Sequence, residues 1–258
     1  MASILFEVQN AVAYIQLNRP EKFNAFNREM ALRLQSVLDE CAADKSVRSI
    51  YLTGNGKAFC AGQDLSELTG ENAPGFETIL AEHYNPIVQR LRTIAKPIVC
   101  AVNGVAAGAG ANIALCCDIV VACSSANFIQ AFSKIGLIPD SGGTFMLPRL
   151  IGWQKASALM MLGEKVSAEA AEQMGMIYKH FTDEIFDIES KKIAIKLSQM
   201  PTKGLAYTKA ALNASFNNNF EAQLKLEDEL QFTAANTTDY KEGVSAFFEK
   251  RLPVFTGN

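Results

Sequence analysis

Residues 97–102, from Pro97 to Val102, form an almost unbroken apolar run. A strand of that composition cannot turn one face to water, so it belongs in a sheet covered on both sides. The flanking pattern alternates in kind. Segments 4–8 and 12–17 read as β-strands with Gln9 and Asn10 as the turn between them. Met30, Leu34, Val37, Leu38 and Cys41 then recur at helical spacing behind Asn27, a natural N-cap with Glu29 in the first turn. Strands are expected at 48–53 and 118–122. A helix is expected at about 76–94, where Pro86 predicts a kink or a late start. Beyond Trp153 the pattern is mostly helical (156–162, 168–174, 183–200, 202–216, 220–233 and 240–250), with one β segment near 176–180. Strand–helix–strand alternation predicts an α/β core. The expected division is a core of residues 1–200 and a helical region of residues 201–258.

The chain has 258 residues, enough for one large domain without disulfides or metals. Its net charge of −3 argues against nucleic acid as a partner. His83 and His180 are the only histidines, and neither lies in a metal-binding spacing, so no metal site is expected. The six cysteines form no CxxC pair and sit in apolar runs, which suits buried thiols and a cytoplasmic location. Residues 1–7 lack the basic start and apolar core of a secretory signal. No apolar stretch is long enough for a membrane span.

Three segments bear on chemistry. From Gly104 to Asn112 the chain is built almost wholly of small residues, so a ligand can approach its backbone. It is not a dinucleotide fingerprint: Ile113 occupies the third glycine position and Asp118 comes too early. The plain alternative is a small-residue helix packed on the sheet. Residues 54–65 hold Gly54, Gly56 and Gly62, but Ala58 after Lys57 excludes a Walker A loop. The plain alternative there is a loop capped by Asp64. Together the two loops can offer convergent backbone N–H groups, which is what an oxyanion hole needs. The third segment, Asp140-Ser141-Gly142-Gly143, superficially suggests a serine nucleophile. No histidine motif supports that, and capping of the following helix by Asp140 or Ser141 is the simpler account.

Four stretches carry a resemblance to a known family. They are residues 17–25, residues 58–64, residues 101–111 with Cys117-Asp118-Ile119, and residues 242–251. Together they resemble the enoyl-CoA hydratase/isomerase, or crotonase, superfamily along essentially the whole chain. The resemblance implies an α/β spiral of ββα units, ClpP-like, with a C-terminal helical assembly region. It implies that the Ala61 and Ala109 amides form an oxyanion hole for an acyl-CoA thioester, which is the substrate, with no further cofactor. Lys22, Ala25, Gly62, Gln63, Asp64, Leu65 and Gly108 would line the CoA and acyl path. Lys250 would reach a CoA phosphate, and the chain would assemble as a homotrimer or a hexamer of paired trimers.

The departures from the family pattern carry most of the functional information. Hydratases of the superfamily use two glutamates, and the matching positions here are Asn112 and Phe132. Asp140 is the remaining acid in the right stretch, among Leu137, Ile138 and Pro139. Desolvation there would raise its pKa and suit it to shuttle a proton between two carbons, with Phe132 helping to exclude water. Segments 103–111, 131–144 and 251–257 most resemble the isomerase branch that converts ring-1,2-epoxyphenylacetyl-CoA to its oxepin form in bacterial phenylacetate degradation. That branch can also shift the double bond of a 3-enoyl-CoA to the 2-position. The rival expectations are a 2-enoyl-CoA hydratase, a thioester hydrolase and a non-catalytic acyl-CoA-binding subunit.

Overall fold

The structure is a computed structural model that describes residues 2–69 and 73–258. In chain order the first half contains β1 (Ile4–Gln9), β2 (Val12–Leu17), α1 (Arg28–Ala43), β3 (Ser49–Gly54) and β4 (Ala58–Cys60). It continues with α2 (Phe76–Thr78), a π-helical turn (Ile79–Tyr84), α3 (Asn85–Thr93), β5 (Ile98–Val102), β6 (Val105–Ala107) and α4 (Ala109–Leu115). The second half contains β7 (Ile119–Cys123), β8 (Asn127–Ile129), α5 (Gly143–Ile151), α6 (Trp153–Leu162), β9 (Lys165–Ser167), α7 (Ala168–Gln173) and β10 (Lys179–Phe181). Four helices end the chain: α8 (Asp183–Ser198), α9 (Thr202–Ser215), α10 (Phe220–Ala235) and α11 (Thr238–Glu249).

One device repeats along the chain. β3, β5 and β7 are parallel neighbours in a six-stranded sheet of order β1-β2-β3-β5-β7-β10. The short strand after each of them crosses to a second sheet, of order β4-β6-β8-β9. This is a spiral of ββα units. Both faces of the large sheet are covered. Ser49 and Tyr51 on β3 point toward α8, where Ser49 Oγ donates to the Ala194 carbonyl (2.7 Å) and Tyr51 OH bonds Ser190 Oγ (2.8 Å). Ile50 and Leu52 alternate to the opposite face and are fully buried. Every residue of β5 is buried, as its apolar run requires.

The crossing between sheets is held by Asn103 and Gly104. Asn103 Oδ1 accepts from Gly54 N (3.0 Å) and its Nδ2 donates to the Gly56 carbonyl (2.9 Å), which stitches one crossing to the next. A Cβ on Gly104 would lie 2.2 Å from the Lys57 carbonyl oxygen, so only glycine fits.

Several boundaries differ from the sequence reading. The β1–β2 turn is Asn10-Ala11, not Gln9-Asn10, because Gln9 still pairs with Val12 and both turn residues adopt positive φ (52° and 60°). The β segment expected near 176–180 begins at Lys179, since the Met176 and Ile177 amides bond back to the Ala171 carbonyl and close α7. At Pro86 the helical segment is not interrupted but its winding changes, because the π turn passes into α3 at Asn85 with Pro86 in its first turn. It runs through the π turn, and the Glu82 carbonyl, which Pro86 cannot bond, accepts from Gln35 Nε2 (2.7 Å). α1 starts as expected, with Asn27 Oδ1 accepting from Met30 N (3.0 Å).

After Pro201, α9, α10 and α11 leave large apolar side chains at the surface, including Phe220, Phe232, Phe247 and Phe248. Arg48 ties this region to the core through bonds to the Met200 and Phe255 carbonyls (2.6 and 2.7 Å) and to Thr202 Oγ1 (3.0 Å). Among the described residues no helix is long and apolar enough to cross a membrane.

Candidate active site

The loop after β4 is fastened by its own backbone. Phe26 N donates to the Gly62 carbonyl (2.7 Å), and Asp64 N donates to the Phe26 carbonyl (2.8 Å). That parallel bridge turns the amide of the intervening Gln63 away from residue 26, and it meets no acceptor among the described residues. The Ala61 amide is committed, because it donates to the Phe23 carbonyl (3.0 Å). The expectation that Ala61 supplies an oxyanion donor is therefore corrected: the uncommitted amide of this loop is that of Gln63.

The second loop ends at Gly108, whose φ of 53° and ψ of −127° suit only glycine. α4 begins at Ala109, so the Ala109 amide is one of the first-turn donors with no helical acceptor. The two loops touch. A Cβ on Gly62 would lie 3.0 Å from the Ala107 carbonyl oxygen and 3.6 Å from Ala109 N. One on Gly110 would lie 2.5 Å from the Cys60 carbonyl oxygen. Gly110→Ala is therefore expected to push the loops apart, lowering both Tm and kcat. The fall in kcat should be about 10²-fold, as ångström-scale misplacement of catalytic groups typically costs, and steady-state kinetics with a thermal melt check it.

Both free amides border a cavity of about 230 Å³. Leu65, Leu68, Phe76 and Ile79 line one part of it, and Phe132, Ile135 and Leu137 another. Among the described residues that line it, Asp140 is the one carboxylate. Burial raises its pKa, and Ser141 Oγ donates to its Oδ1 (2.8 Å), which lowers it again in part. Neither Asp140 nor Ser141 caps α5, contrary to the simpler account: the N-cap is Gly142, and the Ser141 hydroxyl serves the Asp140 carboxylate instead. Tyr84 OH reaches the same cavity and donates to Gln63 Oε1 (2.9 Å). Burial pushes its phenol well above the usual value of 10, so it is a neutral donor. Burial also pushes the Cys60 thiol up to about 12, which removes it as a nucleophile at neutral pH.

The other expected contacts lie elsewhere. Asp64 turns away from the cavity lining, accepting from Ser66 N (3.1 Å) and pairing with Arg19 Nη2 (2.8 Å). Its expected place on the ligand path is thus corrected to a structural one. Lys22 ends the exposed turn Pro20–Lys22, Ala25 is buried beneath it, and Lys250 is the left-handed C-cap of α11; none lines the cavity. His83 is buried with neither ring nitrogen bonded among the described residues, and it too lies off the lining. A larger recess, about 530 Å³, lies under α9, but Lys209, Asp118 and Arg92 there bond one another and nearby backbone carbonyls. It presents no convergent free polar group.

Residues 7–258 match the enoyl-CoA hydratase/isomerase family. The chain belongs to that family. It is 47% identical, over 100% of this chain and 99% of the relative, to a 1,2-epoxyphenylacetyl-CoA isomerase of Escherichia coli strain K12. It is 43% identical to a probable enoyl-CoA hydratase of Rhodobacter capsulatus, over 99% of this chain and 98% of the relative. Among solved structures, an enoyl-CoA hydratase from Bacillus anthracis superposes with a TM-score of 0.94 at 29% identity, covering 99% of this chain and 100% of that one.

For an enoyl-CoA hydratase/isomerase, the chemistry turns on which side chains face the acyl group. Asn112 is fully buried and faces away from the cavity, donating from Nδ2 to the Asp140 carbonyl (2.8 Å). The Phe132 ring lies over Gly108, 3.7 Å from where a Cβ would stand. Neither residue can act as a base. Among the described residues, the cavity of this family member thus pairs two free backbone donors with a single desolvated carboxylate.

Proposed function

We propose that this enzyme is an acyl-CoA isomerase that moves a proton through a thioester enolate. The observation that carries the reading is that, among the described residues, Asp140 is the only carboxylate lining the cavity. With a 3-enoyl-CoA, Asp140 takes the proton from C2, and the C–H electron pair passes to the thioester oxygen. The Gln63 and Ala109 amides donate to that oxygen, where charge develops. Asp140 then returns the proton to C4, the enolate collapses, and the double bond lies at C2. No water enters the balance, which suits a cavity closed by Phe132.

Conversion of ring-1,2-epoxyphenylacetyl-CoA to oxepin-CoA is the second substrate reading, supported by Phe76, Tyr84 and Phe132 around the acyl space and by the similarity to the Escherichia coli isomerase. Acyl-CoA is the substrate, with no further cofactor. Lys22 and Ala25 would meet the CoA moiety, and Lys250 its phosphate, from the same or a neighbouring subunit. The exposed phenylalanines of α10 and α11 support a role for residues 201–258 in a homotrimer or hexamer. The buried thiols support a cytoplasmic location.

Product analysis across a small acyl-CoA panel tests the reading. A 3-enoyl-CoA is expected to give the 2-enoyl isomer, and the ring epoxide to give oxepin-CoA. Conversion of crotonyl-CoA to 3-hydroxyacyl-CoA as the main activity would point to hydration, which the similarity to a probable hydratase keeps among the outcomes. Release of free CoA thiol would point to hydrolysis, and an untouched panel to a binding subunit.

A further inference from the structure

Asn112 and Gln130 are buried amides on different elements, and neither lines the cavity. Asn112 stands on α4, three residues after the free Ala109 amide. Gln130 immediately precedes the 3₁₀ turn Ala131–Ile135 that carries Phe132. Gln130 Nε2 donates to Asn112 Oδ1 (2.8 Å), and Asn112 Nδ2 donates to the Asp140 carbonyl (2.8 Å). The last member sets the direction of the whole chain. A carbonyl only accepts, so Asn112 must turn its NH₂ toward Asp140 and its oxygen toward Gln130, and Gln130 must answer with its own NH₂. The arrangement leaves Gln130 Oε1 buried without a partner among the described residues. Such orphans are rare and call for an explanation; here it follows from fixing the Asn112 amide in one orientation.

The Asp140 turn needs an external hold. Ser141 adopts φ 52° without being glycine, and Gly142 adopts φ 76°. Gly143 backs directly onto Asn112: a Cβ there would lie 2.3 Å from Nδ2. Asn112 therefore meets the turn at both Asp140 and Gly143, not at one hydrogen bond alone.

We infer that Asn112, oriented by Gln130, is a positioning residue that ties the Asp140 turn to α4 and so sets the Asp140 carboxylate against the Ala109 amide at the start of the same helix. This rests on the reading of Asp140 as the proton carrier. Asn112 touches no reacting atom; it acts through Asp140.

Asn112→Asp tests this with almost no change of shape. The new side chain still accepts from Gln130 but opposes an oxygen to the Asp140 carbonyl. With a 3-enoyl-CoA, kcat is expected to fall about tenfold or more, the scale of a displaced catalytic group, while KM stays within about twofold. Acetoacetyl-CoA binding, read by its enolate absorbance, should persist, since the amides that hold that oxygen are untouched. In an Asp140→Asn background the same substitution should cause no further loss, because groups that act as a unit are not additive. Gln130→Ala, which frees the Asn112 amide to turn over, should repeat the pattern more weakly and serves if Asn112→Asp does not fold. A kcat within about twofold of wild type in the folded variant overturns the inference. So does a loss that recurs in the Asp140→Asn background. A wild-type enzyme that leaves the 3-enoyl-CoA unchanged overturns the isomerase reading itself, and this inference with it.

Discussion

Replacing Asp140 with Asn is expected to lower kcat for 3-enoyl-CoA isomerisation by about 10³-fold, within the range that positioned acid–base groups contribute. The substitution keeps volume and keeps an acceptor for Ser141 Oγ, so KM should change little. Only the ability to carry the proton is lost. The pH profile gives an independent reading. Burial raises the Asp140 pKa above its ordinary 3.8. Wild-type kcat/KM should therefore fall as the pH drops through that raised value, where Asp140 becomes protonated and cannot accept. Stability should run the other way. An acid whose folded pKa exceeds its unfolded one stabilises the fold below the unfolded value, and that contribution is lost as the pH rises through the folded value. Above that raised value the wild type holds a desolvated charge that Asn lacks, so there Asp140→Asn should keep or raise Tm while activity collapses. Retained double-bond migration would sink the assignment.

The largest effect on stability is expected at Lys209→Met. Lys209 reaches from α9 under the core and donates to the Leu91 carbonyl (2.7 Å), the Lys96 carbonyl (3.3 Å) and Asp118 Oδ2 (2.8 Å). Asp118 also accepts from Ile98 N (2.9 Å), at the start of β5. Burial drives both partners toward neutrality: the Asp118 pKa is raised and the Lys209 pKa lowered, so their attraction does not fully offset desolvation. Removing one partner is worse than having neither, because it leaves the Asp118 charge with only the more distant Arg92 (3.9 Å). The variant should lose about 3–5 kcal/mol, a fall in Tm of roughly 10 °C for a chain of this size. The deficit should narrow in acid, since Asp118 in the variant escapes its stranded charge by protonating. The double variant Asp118→Leu with Lys209→Met should recover much of the loss. Denaturant melts at two pH values check all three statements.

The large sheet, apart from the three-residue β10 at its edge, was legible in the sequence because its strands are long or wholly apolar, as β5 is. The α1 cap was legible because Asn27 bonds within its own turn. The second sheet was not, since β4, β6, β8 and β9 have three residues each, too few for any periodicity to declare itself. The site divides in the same way. Asp140 emerged from the absence of other acids, which is a property of the sequence. Choosing between Ala61 and Gln63 depends on the Phe23 carbonyl, brought to Ala61 by left-handed backbone at Phe23 and Asn24 (φ 50° and 56°) from far along the chain. Asp64 carries an equally distant dependence through Arg19. Tyr84 fell only within the helix expected at about 76–94; that its hydroxyl ends on Gln63 is a fact of three dimensions.

The two uncommitted amides at Gln63 and Ala109 belong to the main chain, whereas Asp140 and Phe132 meet the same cavity as side chains. A codon change at either amide position alters what hangs from the backbone but leaves an N–H in place. Inheritance of the donors is therefore carried by loop shape, through glycines such as Gly62, Gly108 and Gly110. A lineage can exchange its acid, or lose one, without dismantling the cradle. The geometry that receives the developing negative charge is thus set apart from the side chain that moves the proton.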